Sequence, residues 1–280
     1  MRIEIADEFS LFKIVNSGQC FRAVELANNH YLFIHNENVL FIHQESPNKF
    51  EVNVDMQTWN DVWHPYFDLD RNYSSIRQTI NSTDIFMKKA ALESAGIRIL
   101  RQDPWEMLIS FIISQRKNIP SIKHSIHMIA EKWGTPINTD VGVLYTFPTP
   151  QQMANATEDD LKECKVGYRA SYILHAIHML IDKHIDLDAL HSCDYPTIIE
   201  ALTTIKGVGV KVANCIALFS YGQLSAVPID TWIKKIISEK YAGIDPFHGY
   251  GEVAGLMQQY AFYYAQTHKE EFSHDLYYRS

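Results

Sequence analysis

Apolar and polar positions divide the chain into two textures. Through residue 55 the apolar residues come in short β-branched or aromatic runs. YLFIHNENVLFIHQ, residues 31–44, holds two such runs on either side of Asn36-Glu37-Asn38, which predicts a β-hairpin. From Met56 the period lengthens. DPWEMLISFIISQ, IPSIKHSIHMIAEKW and RASYILHAIHMLIDKH repeat apolar residues at three- and four-residue spacing, the mark of helices with a buried face. Asp103 before Pro104 fits a helix N-cap with proline at the first helical position. Thr157 followed by Asp160 approximates a capping box. Strands come first and helices after, with no repeat or low-complexity tract, so the pattern predicts an α+β fold with segregated layers.

Composition narrows this only a little. A chain of 280 residues with 46% hydrophobic and 21% charged content suits one large globular domain or two modest ones. No apolar run approaches the roughly 18–20 residues of a membrane span, and MRIEIADEFS lacks the basic and apolar regions of a secretory signal. Cys20, Cys164, Cys193 and Cys215 are widely separated, which excludes a CxxC zinc or redox motif and reads as reduced thiols in an intracellular, cytoplasmic protein. The formal charge of −8 argues against a nucleic-acid partner on average. Two segments depart from that average. Residues 112–135 carry Arg116, Lys117, Lys123 and Lys132 against Glu131. Residues 201–241 carry Lys206, Lys211, Lys234, Lys235 and Lys240 against Asp230 and Glu239. Both remain compatible with a DNA-facing surface.

The second segment contains IKGVGVKVANCIALF, residues 205–219, within the pattern LxxIxGVGxxxA. Two helices joined by a tight turn explain it, with Gly207 and Gly209 free to adopt positive φ. Such a turn is either a glycine cap between packed helices or a helix-hairpin-helix whose N–H groups donate to a phosphate oxygen. Lys211 falls in the first turn of the second helix, where the helix dipole disfavours a protonated amine and favours a nucleophile. A solvated lysine is the plain alternative. Asp230, in AVPIDTWIKK, reads as an N-cap that is held ionised and fixed in direction, able to stabilise a developing positive charge or move a proton.

GVGVKVANCIALF followed by AVPID resembles the helix-hairpin-helix Gly/Pro-Asp superfamily of DNA glycosylases, and within it the 8-oxoguanine DNA glycosylases. SGQCFR (residues 17–22), ILRQDPWEMLISFIISQ, KVGYRASYI (residues 165–173) and the Gln258/Phe262 pair in MQQYAFYYA extend the likeness over nearly the whole chain. The resemblance implies an N-terminal antiparallel β-sheet domain with following helices over 1–100. A mostly α-helical, two-lobed glycosylase core follows over 101–280, with the helix-hairpin-helix at about 198–219.

What it implies for chemistry is specific. Lys211 attacks the sugar C1′ and forms a Schiff base that permits β-elimination, making a bifunctional glycosylase and lyase. Asp230 stabilises the oxocarbenium-like sugar. The nucleotide is flipped out of damaged double-stranded DNA to reach them. Gly18 offers its carbonyl to the extra N–H of oxidised guanine, Gln258 reads the Watson–Crick edge, and Cys215 and Phe262 sandwich the base. Read without the resemblance, Cys215 and Phe262 are ordinary helix core, Gly18 a turn and Gln258 a surface residue. Tyr168 and Arg169 correspond to the wedge and to the probe of the opposite strand, with Arg116, Asn118, Gly207 and Gly209 also at the DNA. A structural metal ion would sit on the backbone carbonyls of Thr203, Ile205 and Val208. No cofactor is required, and no cysteine after Cys215 is available for the superfamily's iron–sulfur cluster. The protein is expected to act as a monomer with no membrane partner.

Three positions depart from the animal-type pattern. Arg116 replaces a gap-filling asparagine, Ser121 replaces an arginine that checks for cytosine, and Trp232 replaces a histidine after Asp230. These imply weaker discrimination of the opposite base. The competing readings are an alkylpurine glycosylase of the same superfamily, a noncatalytic helix-hairpin-helix DNA-binding module, and an acidic helical protein with no nucleic-acid role. The SGQ motif, Cys215 and Lys211 tell against the first, Lys211 with Asp230 against the second, and the third predicts no salt-dependent DNA binding.

Overall fold

The hairpin predicted at residues 31–44 forms at the centre of an antiparallel sheet. The computed structural model describes residues 1–272, so positions 273–280 of the expected core segment lie outside the described residues. The strands are β1 (Arg2–Glu4), β2 (Val24–Ala27), β3 (His30–His35), β4 (Asn38–Ser46) and β5 (Lys49–Val52), in the order β1-β5-β4-β3-β2. His35 pairs with Asn38, which leaves Asn36 and Glu37 as a two-residue turn with Asn36 at φ 52°. One face of the sheet buries Tyr31, Phe33, Leu40, Ile42 and Phe50 against Trp59, Trp63, Tyr66 and Phe67. Edge-to-face contacts such as Phe9–Phe67 and Phe33–Phe67, both 5.1 Å between centroids, fix those rings.

The helices that position the site are α1 (Ile85–Glu93), α2 (Pro104–Ser114), α3 (Ile119–Trp133), α4 (Ala170–Ile181), α5 (Tyr195–Thr203), α6 (Val210–Phe219), α7 (Thr231–Lys240) and α8 (Ala254–Thr267). Their starts follow the expected signals. Asp103 accepts the Glu106 N–H at 2.7 Å, and Thr157 and Asp160 form a reciprocal capping box. α2 is buried from Pro104 to Ile113, so it is apolar all round and runs through the centre of the larger core. α6 and α8 are buried along most of their lengths and belong to that same core.

Two polar devices join the sheet to the helices. Arg98 is fully buried and donates to the carbonyls of Phe67, Glu8, Asp68 and Arg71 and to the Asp7 carboxylate, with its plane over Tyr73. Gln19, also fully buried, donates to Arg98 O at 2.9 Å and accepts the Leu100 N–H at 2.8 Å, while Gln102 donates back to Gln19 O. A buried guanidinium or amide satisfied this completely locks one arrangement of its neighbours. The consequence is local: residues 17–19 are held in register against residues 98–102, with Gly18 facing the helical core. Among the described residues, no helix is long and apolar enough to cross a membrane.

Candidate active site

The hairpin between α5 and α6 supplies the first wall. Gly207 sits at φ +87°, and a Cβ there would lie 2.5 Å from the Tyr172 ring on α4, so both conformation and room demand glycine. The expectation of positive φ at Gly209 is corrected. It sits at φ −89° as the N-cap of α6, in extended backbone open to any residue. Space around Gly209 is empty, and α6 starts without a side-chain cap, leaving its first N–H groups open.

Lys211 follows in the first turn of α6, its Nζ 5.7 Å from the centre of the Phe111 ring, within cation–π range. Cys215 lies one turn further on and is buried. Burial pushes its thiol up, opposed by the charge and hydrogen bond of Lys211. Between them in sequence, the buried Asn214 ties the wall together. It accepts from the Tyr195 hydroxyl at 2.8 Å and the Val227 N–H at 3.1 Å, and donates to Val210 O at 2.8 Å. Val227 begins the short segment that delivers Asp230, so Asn214 sets where the carboxylate lies relative to the lysine.

Asp230 caps α7 as expected, accepting the Ile233 N–H at 2.8 Å. The cap and the lysine favour its ionised form, as expected, but a larger effect opposes them. Burial pushes its pKa above the ordinary 3.8, outweighing the Ile233 N–H and the Lys211 charge that pull it down. This carboxyl holds a proton more readily than a surface aspartate does.

The remaining walls come from opposite ends of the sequence. One pocket is lined by Gly18, Phe111, Lys211, Cys215, Phe219, Pro228, Asp230, Gln258, Gln259 and Phe262. The structure thus brings together all six residues expected to perform catalysis or recognise the base. The pocket holds about 60 Å³, against roughly 300 Å³ for the smallest usual ligand sites. The reason is visible at Gly18, where φ is +76° and an added Cβ would lie 3.1 Å from the Phe262 ring. Phe262 lies close to the glycine and narrows the slot.

Two neighbouring glutamines face different fates. Gln259 donates to Ser17 O at 2.6 Å and anchors the glycine turn. Gln258 is 3% exposed, yet its Oε1 has no hydrogen-bond partner among the described residues. A buried amide oxygen left bare costs about 1–3 kcal/mol, so this one is held ready for something that enters the slot. Sequence reasoning missed Phe111, Phe219, Asn214 and Gln259. Asn214 alone had a signal, a polar residue within the apolar run of α6.

The expected DNA-contacting residues divide. Tyr168 is 53% exposed, and Arg116 is exposed with φ +51°, uncommon for a non-glycine residue. Asn118 spends its side-chain oxygen capping α3 through the Ser121 N–H at 2.9 Å. Arg169, expected to probe the opposite strand, is turned inward. It is 6% exposed, donates to the carbonyls of Val166 and Gln115, and lies 4.4 Å from the Tyr168 ring centre. Trp232 lies outside the pocket lining, edge-on to Phe272 at 6.1 Å. At the hairpin, Thr203 ends α5, and the Ile205 carbonyl accepts the Val208 N–H at 3.0 Å.

Residues 2–108 match the family described as 8-oxoguanine DNA glycosylase, N-terminal domain, and residues 109–260 match the HhH-GPD superfamily base excision DNA repair protein. An N-glycosylase/DNA lyase of Saccharomyces cerevisiae is 36% identical over 164 residues, covering 54% of this chain and 44% of that protein. The N-glycosylase/DNA lyase OGG1 of Arabidopsis thaliana is 33% identical over 60% of this chain and 51% of its own length. The chain therefore spans about half the length of these curated relatives. Among solved structures, the apo 8-oxoguanine glycosylase/lyase of Clostridium acetobutylicum superposes with a TM-score of 0.89 at 37% identity, covering 94% of this chain and 95% of that one.

Proposed function

This chain belongs to the HhH-GPD superfamily of base excision DNA repair proteins, with an 8-oxoguanine glycosylase N-terminal domain, and we propose that it excises 8-oxoguanine from duplex DNA and then cleaves the strand as a Schiff-base lyase. The observation that carries this reading is the convergence of Lys211, Asp230 and the bare Oε1 of Gln258 on one slot narrowed by Gly18 and Phe262.

In this reading the flipped base enters as the Phe262 ring swings off Gly18, since the resting slot is too small for a purine. Cys215 and Phe262 then face the two sides of the base. Gln258 reads its Watson–Crick edge, and the Gly18 carbonyl accepts the N–H that distinguishes oxidised guanine. The Lys211 amine forms a bond to C1′ as the bond from C1′ to the base breaks and the base departs with its electron pair. Opening of the sugar gives an imine, and loss of a C2′ proton expels the 3′ phosphate. Asp230 stabilises the positive sugar and, with its raised pKa, suits the proton transfers. Discrimination of the opposite base is weak in this reading, because Ser121 replaces an arginine and Arg169 is turned inward. By the resemblance a metal ion would be held by the carbonyls of Thr203, Ile205 and Val208, of which Thr203 ends a helix and Ile205 already accepts one N–H.

The test is borohydride trapping on duplexes carrying 8-oxoguanine opposite each of the four bases. A covalent adduct that disappears in Lys211→Gln, with rates varying little among the four partners, is expected. Base release that proceeds without any trappable adduct defeats the lyase reading, and a strong preference for cytosine defeats the relaxed pairing.

A further inference from the structure

Three residues of α6 share one stripe of that helix. Lys211, Cys215 and Phe219 follow one another at four-residue spacing, and all three line the slot. Phe111 of the buried helix α2 packs along the stripe. Its ring stacks on Phe219 with 5.7 Å between centroids and 18° between planes, and meets Phe21 edge-on at 5.7 Å. Held by two neighbouring rings and 4% exposed, it has no room to turn. Lys211 Nζ lies over this fixed ring, and the amine also hydrogen-bonds the Cys215 sulfur. Asp230 lines the same slot and feels the lysine's charge. Yet the two form no ion pair, nor does Lys211 pair with any other carboxylate among the described residues. A lysine and an aspartate facing one small cavity would ordinarily close on each other, since burial strengthens their attraction. Asn214 holds the aspartate's side of the gap through the Val227 N–H. The Phe111 ring holds the lysine's side.

We propose that Phe111 is a positioning residue that parks the Lys211 amine on its face and keeps it from closing on Asp230. An ion pair would neutralise both reagents. The carboxylate would face the lysine instead of the sugar, and the amine would be pinned away from C1′. An aromatic face differs from a carboxylate in the way that matters here: it attracts a cation through its quadrupole but accepts no proton and forms no bond. The amine can therefore leave the ring for the sugar, since substrate contacts readily outweigh so weak an attraction. Phe21 adds a link across the sequence, because it lies three residues beyond Gly18. The segment that carries the base-reading glycine thereby also fixes the ring that holds the nucleophile. The chemical consequence rests on the glycosylase reading above; the resting place of the amine does not.

The experiment uses the full chain with phenylalanine analogues bearing one, two or three ring fluorines in place of Phe111, together with Phe111→Leu and Phe111→Tyr. Fluorine weakens the ring's quadrupole with almost no change of shape, and thermal unfolding verifies folding. Borohydride trapping is timed on a duplex with a preformed abasic site, which calls on Lys211 without any base recognition. The trapping rate should fall stepwise with each fluorine, by about threefold to thirtyfold in total, while duplex affinity stays within about twofold. Phe111→Leu should match the most fluorinated ring, and Phe111→Tyr, which keeps the quadrupole, should recover most of the rate. A second readout needs no DNA. Lysines are dimethylated with isotope-labelled formaldehyde, and the Lys211 methyl signal is identified by its absence in Lys211→Gln. It should lie upfield in the ring current of Phe111 and lose that shift in Phe111→Leu. Adding Asp230→Asn should move the signal again in Phe111→Leu, where the amine has closed on the carboxylate, but leave it nearly unmoved beside an intact ring. A rate indifferent to fluorination, or an unshifted signal, overturns the proposal. If the protein trapped no abasic DNA, the lyase reading would fall, and the methyl signal alone would decide where the amine rests.

Discussion

The slot and its rim handle polar groups in opposite ways. Inside the slot a buried amide oxygen is left bare, a carboxyl is pushed towards its protonated form, and a ring lies close to a glycine. On the rim, Arg169, Lys117, Gln115 and Asn118 direct side chains to backbone groups of the protein itself. The contrast is one of emphasis, since Gln259 in the slot is bonded and the Nε of Arg169 on the rim is bare. A bare group beside a pocket offers a ligand a partner, whereas bonded ones hold shape.

Removing the amine should break the comparison most severely. Lys211→Gln is expected to abolish the borohydride adduct and slow base release by about a thousandfold or more, while a gel-shift or anisotropy assay finds duplex binding almost unchanged. The adjacent glutamines sharpen it next. Gln258→Leu should lower kcat/KM by about tenfold to a hundredfold, yet raise stability slightly because a bare buried oxygen is gone. Gln259→Leu should do the reverse in unfolding experiments, destabilising by about 1–3 kcal/mol as Ser17 O loses its donor. If both substitutions destabilise equally, the bare oxygen of Gln258 carries no cost in the resting protein.

Salt dependence probes a smaller effect. Arg116→Ala should flatten the slope of log affinity against log salt by about 0.9 if that side chain meets one phosphate, and Lys117→Met should leave the slope unchanged. The smallest effect concerns pH. The Asp230 pKa is raised in the folded state, so the native protein binds that proton more tightly than the unfolded chain. Stability from this group is greatest below 3.8 and declines as pH rises from there through the raised native value. Asp230→Asn should remove that decline, seen as a flatter difference in unfolding free energy across the window.

Much of this architecture was legible in the chain. The hairpin of β3 and β4, the capped starts of α2 and α7, and the turn before α6 all follow from local signals that act within a few residues. The six pocket residues emerged from motifs far apart in sequence, and the structure brings them together. What stayed hidden depends on acceptors that have no side chain. The bonds of Arg169 and Lys117 to the carbonyls of Gln115, Val166 and Lys165 leave no side-chain pattern to read. Gly209 looked equivalent to Gly207, yet only Gly207 has the Tyr172 ring pressed against it. Phe111 and Phe219 stack at 5.7 Å in the pocket floor, and nothing distinguishes them in sequence from other apolar helix residues.

The bond from Gln259 to Ser17 spans 242 positions. Contacts of that separation are among the last to repay their loop-closure entropy during folding. A chain synthesised from its N-terminus displays Gly18 early and Lys211 late, but the slot exists only after α8 docks against the turn at residues 17–19. On the proposed glycosylase reading, an incomplete or half-folded molecule carries the Lys211 amine with no chamber to deliver a base to it. The chemistry so proposed is withheld until the two ends of the sequence have met.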